Sequence, residues 1–335
     1  QYADEYHNVS IIDKESVLRL SKELSIDGIM SFAVDPGVMT AAYVQEQMGL
    51  PAFGPYESVC ILQNKDYFRS FLAEHDFNVP KAKGFSSLDE ALADKDWYPW
   101  PCIVKPTDSA GSKGVMRVDT LEELERALRY AFEHSLSKRV IVEEFIEKQG
   151  CSSDSDCFSL NGKLKFISFS AQRFDENAVG PYVPSAYSWP SSMNMQQETE
   201  LTSEIQRLLS LLKMRTSIYN IETRVGMNGK PYIMEVSPRG GGNRLAEMLR
   251  FATGMDLITA SVRAAVGDEV GVIEQCTYDG HWAEIILHAD KDGSFVGLDI
   301  NSEYREKYVR QIDLWVKEND KVLAFKGANN AIGTL

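Results

Sequence analysis

The sequence lacks several features that would assign it to other classes of protein. Its five cysteines form no C-x-x-C pair, and this odd count in a long chain fits a reducing cytoplasm. No apolar run approaches the roughly 20 residues that span a bilayer, and no signal-peptide pattern opens the chain. The net charge of −14 argues against broad nucleic-acid binding, although local lysines and backbone amides can still hold a nucleotide. The five histidines suggest no Ser-His-Asp arrangement. We therefore expect a cytoplasmic protein without a nucleic-acid or membrane partner.

The composition is that of a soluble globular protein, with 44% hydrophobic and 25% charged residues. A length of 335 residues predicts two or three domains. The chain begins with Gln1 rather than an initiator methionine, and residues 329–335 end where an apolar strand begins. We therefore expect a piece of a longer protein.

The first 80 residues alternate between helical and strand patterns. Helices are predicted at 14–24, 38–48 and 65–75, with a strand at 27–32 after the first of them. This order predicts the back half of a parallel-sheet domain whose first strand and helix are absent.

From residue 100 short strands mix with helices, which predicts an α+β domain. The predicted strands lie at 102–105, 115–118, 140–144, 158–170 and 218–236, and the predicted helices at 121–133 and 196–212. Residues 177–195 are predicted to form a long loop, a feature that is usually functional or disordered. The tail from residue 270, with strand candidates at 281–288 and 312–317, is predicted to form a small closing subdomain.

A hairpin around Asn228-Gly229 places two carboxylates opposite each other. Asn-Gly between β-rich runs favours a two-residue type I′ turn, which pairs Glu222 with Glu235 and Asn220 with Ser237. Directly opposed residues have Cβ atoms about 4.5–5.5 Å apart, so the two carboxylates repel each other unless a cation lies between them. Mg²⁺ prefers such oxygen ligands. A solvated acidic hairpin face explains the pair equally well at this stage.

Glycines and basic residues flank this pair. Arg239 follows the second carboxylate strand and precedes three consecutive glycines, which suggests close approach of a ligand, although a flexible loop also fits. Lys105 ends a buried strand that leads into a small-residue loop, whose amides can bind phosphate oxygens. This loop is not a P-loop, because Lys113 precedes Gly114 and a strand follows. Taken alone, it is more often structural.

The order of these motifs is more specific than any one of them. The chain resembles the ATP-grasp superfamily over residues 25–270. The resemblance lies in the order of Lys65, Val-Lys-Pro with its glycine loop, Glu-Glu-Phe-Ile, and the glutamate pair that ends in Glu-Val-Ser-Pro-Arg. The resemblance is to ligases of the carbamoyl-phosphate-synthase-like and L-amino-acid-ligase type. It implies an α+β ATP-grasp fold preceded by a partial α/β Rossmann-like domain. The implied parts are that domain with its linking helix (1–80), a lid subdomain (81–148), a large subdomain (149–270) and the closing subdomain (271–335).

The resemblance also implies roles for individual residues. Lys65 and Lys105 would contact the α- and β-phosphates of ATP, and Arg239 would be catalytic by stabilising the transferring phosphoryl group or an acyl-phosphate. The loop over the β- and γ-phosphates would comprise Ser109, Gly111, Ser112, Lys113 and Gly114. The backbone contacts to adenine would come from Glu143, Glu144, Phe145 and Ile146. The Mg²⁺ ligands, or Mn²⁺ ligands in its place, would be Glu222, Glu235, Ser237 and Asn220.

Two departures from the family pattern stand out. Relatives usually carry asparagine as a metal ligand two residues after the second glutamate, where this chain has Ser237. We hypothesise that Asn220, opposite Ser237, supplies an amide oxygen instead. Relatives also often carry a ribose-binding glutamate after the adenine-binding segment, where residues 150–156 look irregular.

The implied reaction has two steps. ATP phosphorylates a carboxylate, and an amine or similar nucleophile then displaces phosphate, so the expected partners are ATP and small-molecule carboxylate and amine substrates. A homodimer is one assembly that the resemblance admits. The alternatives are carbamate-forming or kinase-type phosphoryl transfer at the same ATP site, and a non-catalytic nucleotide-binding protein.

Overall fold

A computed structural model describes residues 3–109 and 113–335, so the predicted loop residues Gly111 and Ser112 lie outside the described residues. The α-helices of the described residues are α1 (Lys14–Leu24), α2 (Val38–Met48), α3 (Tyr56–Gln63), α4 (Lys65–Glu74), α5 (Leu88–Ala93), α6 (Leu121–His134), α7 (Met195–Leu211), α8 (Leu245–Thr253), α9 (Leu257–Val266) and α10 (Ser302–Tyr308). Short 3₁₀ helices span Asp35–Gly37 and Ala328–Asn330. Within the described ranges, no helix is both long and apolar enough to cross a membrane.

The strands form three larger sheets and one two-stranded sheet in the described parts of the chain. They are β1 (Ala82–Phe85), β2 (Cys102–Pro106), β3 (Met116–Val118), β4 (Val140–Glu144), β5 (Ser153–Leu160), β6 (Lys163–Ile167), β7 (Ala171–Phe174), β8 (Pro184–Trp189), β9 (Ser217–Val225), β10 (Pro231–Ser237), β11 (Trp282–Leu287), β12 (Gly293–Ser294), β13 (Asp313–Leu314), β14 (Lys321–Val322) and β15 (Gly333–Thr334).

The N-terminal segment contains the predicted helices but not the predicted strand. The side chain of Asp13 accepts a hydrogen bond from the Ser16 N–H at the start of α1, and α1 and α2 have the predicted bounds. Residues 27–32, predicted as a strand, have irregular backbone. The Ile29 carbonyl accepts a 2.8 Å bond from the Gln45 side chain on α2. The strand prediction is wrong, because contacts with helices hold this segment in place of sheet pairing.

Gly28 fits this segment against α9 without room for a side chain. A Cβ atom at Gly28 would lie 2.1 Å from the Ala265 carbonyl oxygen, which belongs to the helix backbone. Because α9 is anchored in the core by Leu257, we expect Gly28→Ala to lower the free energy of unfolding by about 1–3 kcal/mol. Thermal melting checks this, with Gly293→Ala as the control because a Cβ there meets nothing within 4 Å. Equal melting temperatures for the two variants would contradict the close approach.

The first sheet has the strand order β1-β4-β2-β3 and is antiparallel throughout. Helix α6 packs on one face through fully buried Leu124 and Leu128. Strand β2 alternates accordingly, with Cys102 and Val104 buried in this core. Its opposite face carries Lys105, which therefore points into a cleft between this sheet and the next.

The second sheet has the order β10-β9-β5-β6, and α7 packs against it. Part of the stretch that looked irregular in sequence, residues 153–156, belongs to the central strand β5. The hydroxyls of Ser153 and Ser155, both buried, lie 2.8 Å apart and bond to each other. A polar sequence therefore forms an interior strand, because its buried hydroxyls satisfy one another.

The third sheet has the order β13-β15-β11-β8-β7. Its strand β8 lies inside residues 177–195, so the prediction of a continuous loop there is wrong for residues 184–189. The cause is non-local, because β8 pairs with β11, about a hundred residues later in the chain. Strands β11, β13 and β15 come from the predicted closing subdomain and extend this sheet. The division of the chain into four parts stays a prediction.

Candidate active site

Three adjacent strands bring six polar side chains into two rows on the second sheet. The register of β5, β9 and β10 places Asp154, Glu222 and Glu235 in the first row and Asp156, Asn220 and Ser237 in the second. Residues two apart on a strand share a sheet face, so both rows face the same side. The predicted pairing of Glu222 with Glu235 and of Asn220 with Ser237 is confirmed.

The turn of this hairpin differs from the predicted one. Gly226 N–H donates to the Lys230 carbonyl at 2.9 Å, which gives a three-residue connection rather than a two-residue type I′ turn. The pairing near the turn is therefore shifted by one residue, and an irregularity between Ile233 and Glu235 shifts it back. The prediction of the turn is wrong, and the register at the carboxylates is still correct because the two shifts cancel.

Each of the two paired glutamates has one cationic partner at the long end of ion-pair distance. The Glu222 carboxylate lies 3.7 Å from the Arg224 guanidinium, and the Glu235 carboxylate lies 3.7 Å from Lys65 Nζ. Their side chains are 34% and 42% exposed, so water or a cation can reach them. Directly opposed carboxylates with free oxygens are donors of the kind that Mg²⁺ prefers, so the residues fit a magnesium site.

The second row is oriented by hydrogen bonds. Asn220 Nδ2 donates to Asp154 Oδ1 at 2.6 Å and to Asp156 Oδ1 at 3.2 Å. The amide nitrogen thus faces the aspartates of β5, which turns the amide oxygen away from them. The Ser237 hydroxyl oxygen accepts a 3.0 Å bond from Gln63 Nε2. These contacts agree with the hypothesis that Asn220 offers a metal its amide oxygen, which stays a prediction.

The acidic residues of β5 were not predicted as site residues. Burial, and then the neighbouring Glu222 charge, raise the pKa of Asp154 to about 6. Burial, and then Asp154, raise the pKa of Asp156 to about 7. Glu284 on β11 belongs to the same acidic group, since burial and the two aspartates raise its pKa well above the usual value. The alternation Ser-Asp-Ser-Asp at 153–156 is the sequence signal that could have identified a strand with one acidic face.

The glycines after Arg239 have a structural reason in this group. Gly241 N–H donates to Asp156 Oδ1 at 2.8 Å. A Cβ on Gly241 would lie 2.7 Å from Leu245 Cδ2 and 3.0 Å from Asn220 Nδ2. The close backbone approach that the glycines suggested therefore occurs, and its partner is an aspartate of this chain.

Arg239 is held by a residue from the N-terminal segment. Its Nε and Nη2 donate to the two carboxylate oxygens of Asp35 at 2.7 and 2.8 Å, and its Nη1 donates to the Gly240 carbonyl at 2.9 Å. Burial raises the Asp35 pKa, but the Arg239 charge and hydrogen bonds outweigh it, so the pKa lies below its usual value. No sequence signal pointed to Asp35, which lies 204 residues from Arg239.

The two lysines, Lys65 and Lys105, both line a polar cleft. Lys65, the first residue of α4, donates from Nζ to the Ser109 carbonyl at 3.2 Å. Lys105 Nζ lies 2.6 Å from Glu143 Oε2, and Glu143 Oε1 lies 2.8 Å from Arg69 Nε. Burial raises the Glu143 pKa, but Arg69 and Lys105 outweigh it and lower the pKa to about 2. Glu143 is therefore an anion that holds Lys105 in position.

The cleft brings together most of the predicted site residues. Its lining includes Asp35, Lys65, Lys105, Ser109, Glu143, Glu144, Phe145, Ile146, Asp154, Gln172, Asn220, Glu222, Glu235, Ser237 and Arg239. In the predicted adenine-binding segment, the Glu144 and Phe145 N–H groups already bond to the Lys81 and Pro101 carbonyls. Lys113 is exposed and Gly114 has φ +76°, and neither is among the described residues that line the cleft.

Comparisons with known proteins show what this chain is similar to. A model of the ATP-grasp domain family matches residues 98–247. The carbamoyl phosphate synthase large chain of Thermoanaerobacter sp. (strain X514) is 24% identical over 272 residues, which cover 77% of this chain and 24% of that protein. Phosphoribosylamine–glycine ligase of Leptospira interrogans is 25% identical over 341 residues, 95% of this chain and 78% of that protein. The solved L-amino acid ligase from Bacillus licheniformis has a TM-score of 0.78 at 23% identity, and the match covers 96% of this chain and 78% of that one.

The chain thus spans about a quarter of the length of the carbamoyl phosphate synthase that it matches. The matches confirm the predicted resemblance, and the solved ligase structure has the same fold over 96% of the chain. The roles of the individual site residues stay predictions.

Proposed function

We propose, from the ATP-grasp fold that this chain has, that it is the catalytic part of a Mg-ATP-dependent, ADP-forming carboxylate–amine ligase. The ligase activates a carboxylate as an acyl-phosphate for attack by an amine or similar nucleophile. The observation that carries this proposal is that paired Glu222 and Glu235 share one cleft with Lys105. Phosphoryl transfer depends on positioning and charge neutralisation, for which such a cleft is suited.

The acidic rows would hold the cation. Glu222 and Glu235 offer carboxylate oxygens, and Asn220 and Ser237 offer neutral oxygens in the next row. Mg²⁺, or Mn²⁺ in its place, neutralises charge on phosphate oxygens when it is bound. Asp154 adjoins Glu222 and adds a third carboxylate to that row, so the site favours a divalent over a monovalent cation.

The basic residues would hold the phosphates and the carboxylate. Lys105 is fixed by Glu143, so its ammonium is positioned before a nucleotide arrives. Lys65 bridges toward both Ser109 and Glu235, which places a positive charge between the loop and the acidic row. Arg239 is held by Asp35, and its planar guanidinium suits a phosphoryl or carboxylate group. Three positive charges in one cleft suit the binding of phosphate groups and of a carboxylate.

The test uses the purified full chain with Mg-ATP and pooled amino acids. We expect release of ADP and phosphate only when acceptors are present. Glu235→Gln keeps the side-chain size but removes one charge from the metal-binding row, so turnover should fall by at least about 100-fold. Glu198→Gln, a glutamate on α7 outside the cleft lining, is the control and should leave turnover unchanged.

The other outcomes separate the alternatives. A phosphorylated product without phosphate release would indicate kinase-type transfer, and phosphate release that requires bicarbonate would indicate carbamate formation. Nucleotide binding without turnover on any acceptor would indicate a non-catalytic binding protein. A homodimer and a cytoplasmic location are further expectations of the proposal.

A further inference from the structure

A second group of metal-ligand side chains lies outside the nucleotide cleft. Asp175 follows β7, and His288 and Asp290 follow β11. One potential ligand atom from each of the three lies within 4.8 Å of the others. None of the three is among the described residues that line the nucleotide cleft. The group is therefore separate from the proposed magnesium site.

Both ring nitrogens of His288 face hydrogen-bond acceptors. Nδ1 lies 2.7 Å from the Ile286 carbonyl oxygen, and Nε2 lies 3.1 Å from Asp175 Oδ2. A neutral imidazole carries one N–H and can donate to only one of these two acceptors. If it donates to the Ile286 carbonyl, the lone pair of Nε2 points at a carboxylate. This arrangement requires either a second proton or a cation between Nε2 and Asp175. A histidine whose other nitrogen donates to a backbone carbonyl is the usual arrangement for a metal ligand.

The ring is also held in one orientation. His288 stacks on Phe325 with ring centroids 4.3 Å apart, and its side chain is only 14% exposed. Asp175 Oδ1 accepts a 2.9 Å bond from the Asn177 N–H, which leaves Oδ2 directed at His288. Two of the three ligands are thus fixed by contacts that do not depend on a cation. Asp290 is exposed, so water can occupy a fourth coordination position.

We propose that Asp175, His288 and Asp290 form a Zn²⁺ site. One imidazole nitrogen and two carboxylate oxygens are ligands that Zn²⁺ accepts, and three protein ligands with one water complete a tetrahedral shell. Mg²⁺ requires near-octahedral oxygen coordination and is disfavoured by the imidazole.

Zinc at this site ties together segments that border the nucleotide cleft. Asp175 begins the connection from β7 to β8, and Gly180 within it donates from N–H to the Phe325 carbonyl at 2.9 Å. Phe174 and Pro184, at the two ends of this connection, line the nucleotide cleft. The metal would therefore anchor one wall of that cleft to the end of β11.

The experiment is a Zn²⁺ titration of the full chain after removal of metals with a chelator, in buffer free of Mg²⁺ and nucleotide. A chromophoric chelator competes for the zinc, and thermal melting is recorded in parallel. We expect one tightly bound Zn²⁺ that raises the melting temperature by about 5 °C when zinc is about 100-fold above its dissociation constant.

The variants are chosen so that folding is preserved. His288→Phe keeps the stacking on Phe325 but removes the nitrogens, and Asp290→Asn changes an exposed side chain. Each should weaken zinc binding by more than about 100-fold, since loss of an outer-shell partner alone costs about 10–100-fold. His281→Phe is the matched control, because His281 is an exposed histidine beside the same strand and outside the three-residue group.

The proposal is overturned if the wild-type chain binds no zinc stoichiometrically, or if His288→Phe and Asp290→Asn titrate like His281→Phe. In either case the Nε2 contact is an ordinary pair between a protonated histidine and Asp175. Glu235→Gln should still bind one Zn²⁺ per chain. A failure of the ligase proposal and a failure of the zinc proposal can therefore be told apart. Retained zinc binding in that variant also separates the two metal sites.

Discussion

Replacing Glu143 with glutamine is expected to lower the free energy of unfolding by about 3–5 kcal/mol, because the change leaves a buried arginine without its counter-charge. Glu143 is fully buried and the Arg69 side chain is 3% exposed. The Glu143 carboxylate lies 2.8 Å from Arg69 and 2.6 Å from Lys105, so one anion compensates two cations. Glutamine keeps the shape but provides no charge to either of them.

Urea denaturation of the wild type and of Glu143→Gln measures this difference. Glu144→Gln is the matched control, because Glu144 is the next residue and is exposed, and it should change stability by less than about 1 kcal/mol. A difference below about 1 kcal/mol for Glu143→Gln would show that the buried pair is not charged.

The same pair predicts a dependence on pH. The Glu143 pKa is lowered from 4.5 to about 2, so the folded chain binds the proton more weakly than the unfolded chain. The stability from this carboxylate is therefore fully present above pH 4.5 and is lost as the pH falls toward about 2. The difference in the free energy of unfolding between the wild type and Glu143→Gln should therefore become smaller as the pH falls from 4.5 toward about 2. If the difference in the free energy of unfolding stayed constant down to pH 2, the Glu143 carboxylate would not be charged in the folded chain.

Local patterns predicted the elements whose partners are close in the chain. The bounds of α1 and α2 followed from helical periodicity. The pairing of Glu222 with Glu235 followed from the Asn228-Gly229 turn signal, which lies six residues from each glutamate. The hairpin register survived an incorrect turn type, because the irregularity in β10 compensated for the longer connection. The motif order then supplied the fold, which no single motif specified.

Long-range contacts account for what the sequence did not predict. Asp35 reaches Arg239 across 204 residues, and β8 pairs with β11 across about a hundred residues. The side chain of Asn220 bonds to Asp154 and Asp156, whose polar stretch was not predicted to form a strand. In each case the deciding partner lies outside the window over which periodicity and turn residues act.

Among the residues that bind no metal, Arg239 is expected to contribute most to catalysis. We expect Arg239→Lys to lower kcat/KM by about 10²–10³-fold, which corresponds to about 2.7–4 kcal/mol of transition-state stabilisation. Lysine preserves the positive charge beside Asp35 but loses the planar fork that matches two carboxylate oxygens. The fold should therefore persist while the position of the charge changes.

Steady-state kinetics with a responsive acceptor separates this effect from a loss of folding. Arg250→Lys is the control, because Arg250 is an exposed arginine paired with Asp256 at 3.4 Å and lies outside the cleft lining. Asp35→Asn is the second variant, since Asp35 acts by positioning Arg239. Its loss should lower kcat by about tenfold with nucleotide affinity nearly unchanged.

If Arg239→Lys raises KM alone and leaves kcat intact, Arg239 contributes binding that is equal in the ground state and the transition state. Its role in stabilising the transferred group would then be wrong, and its bond to Asp35 would serve to dock the N-terminal segment onto the sheet.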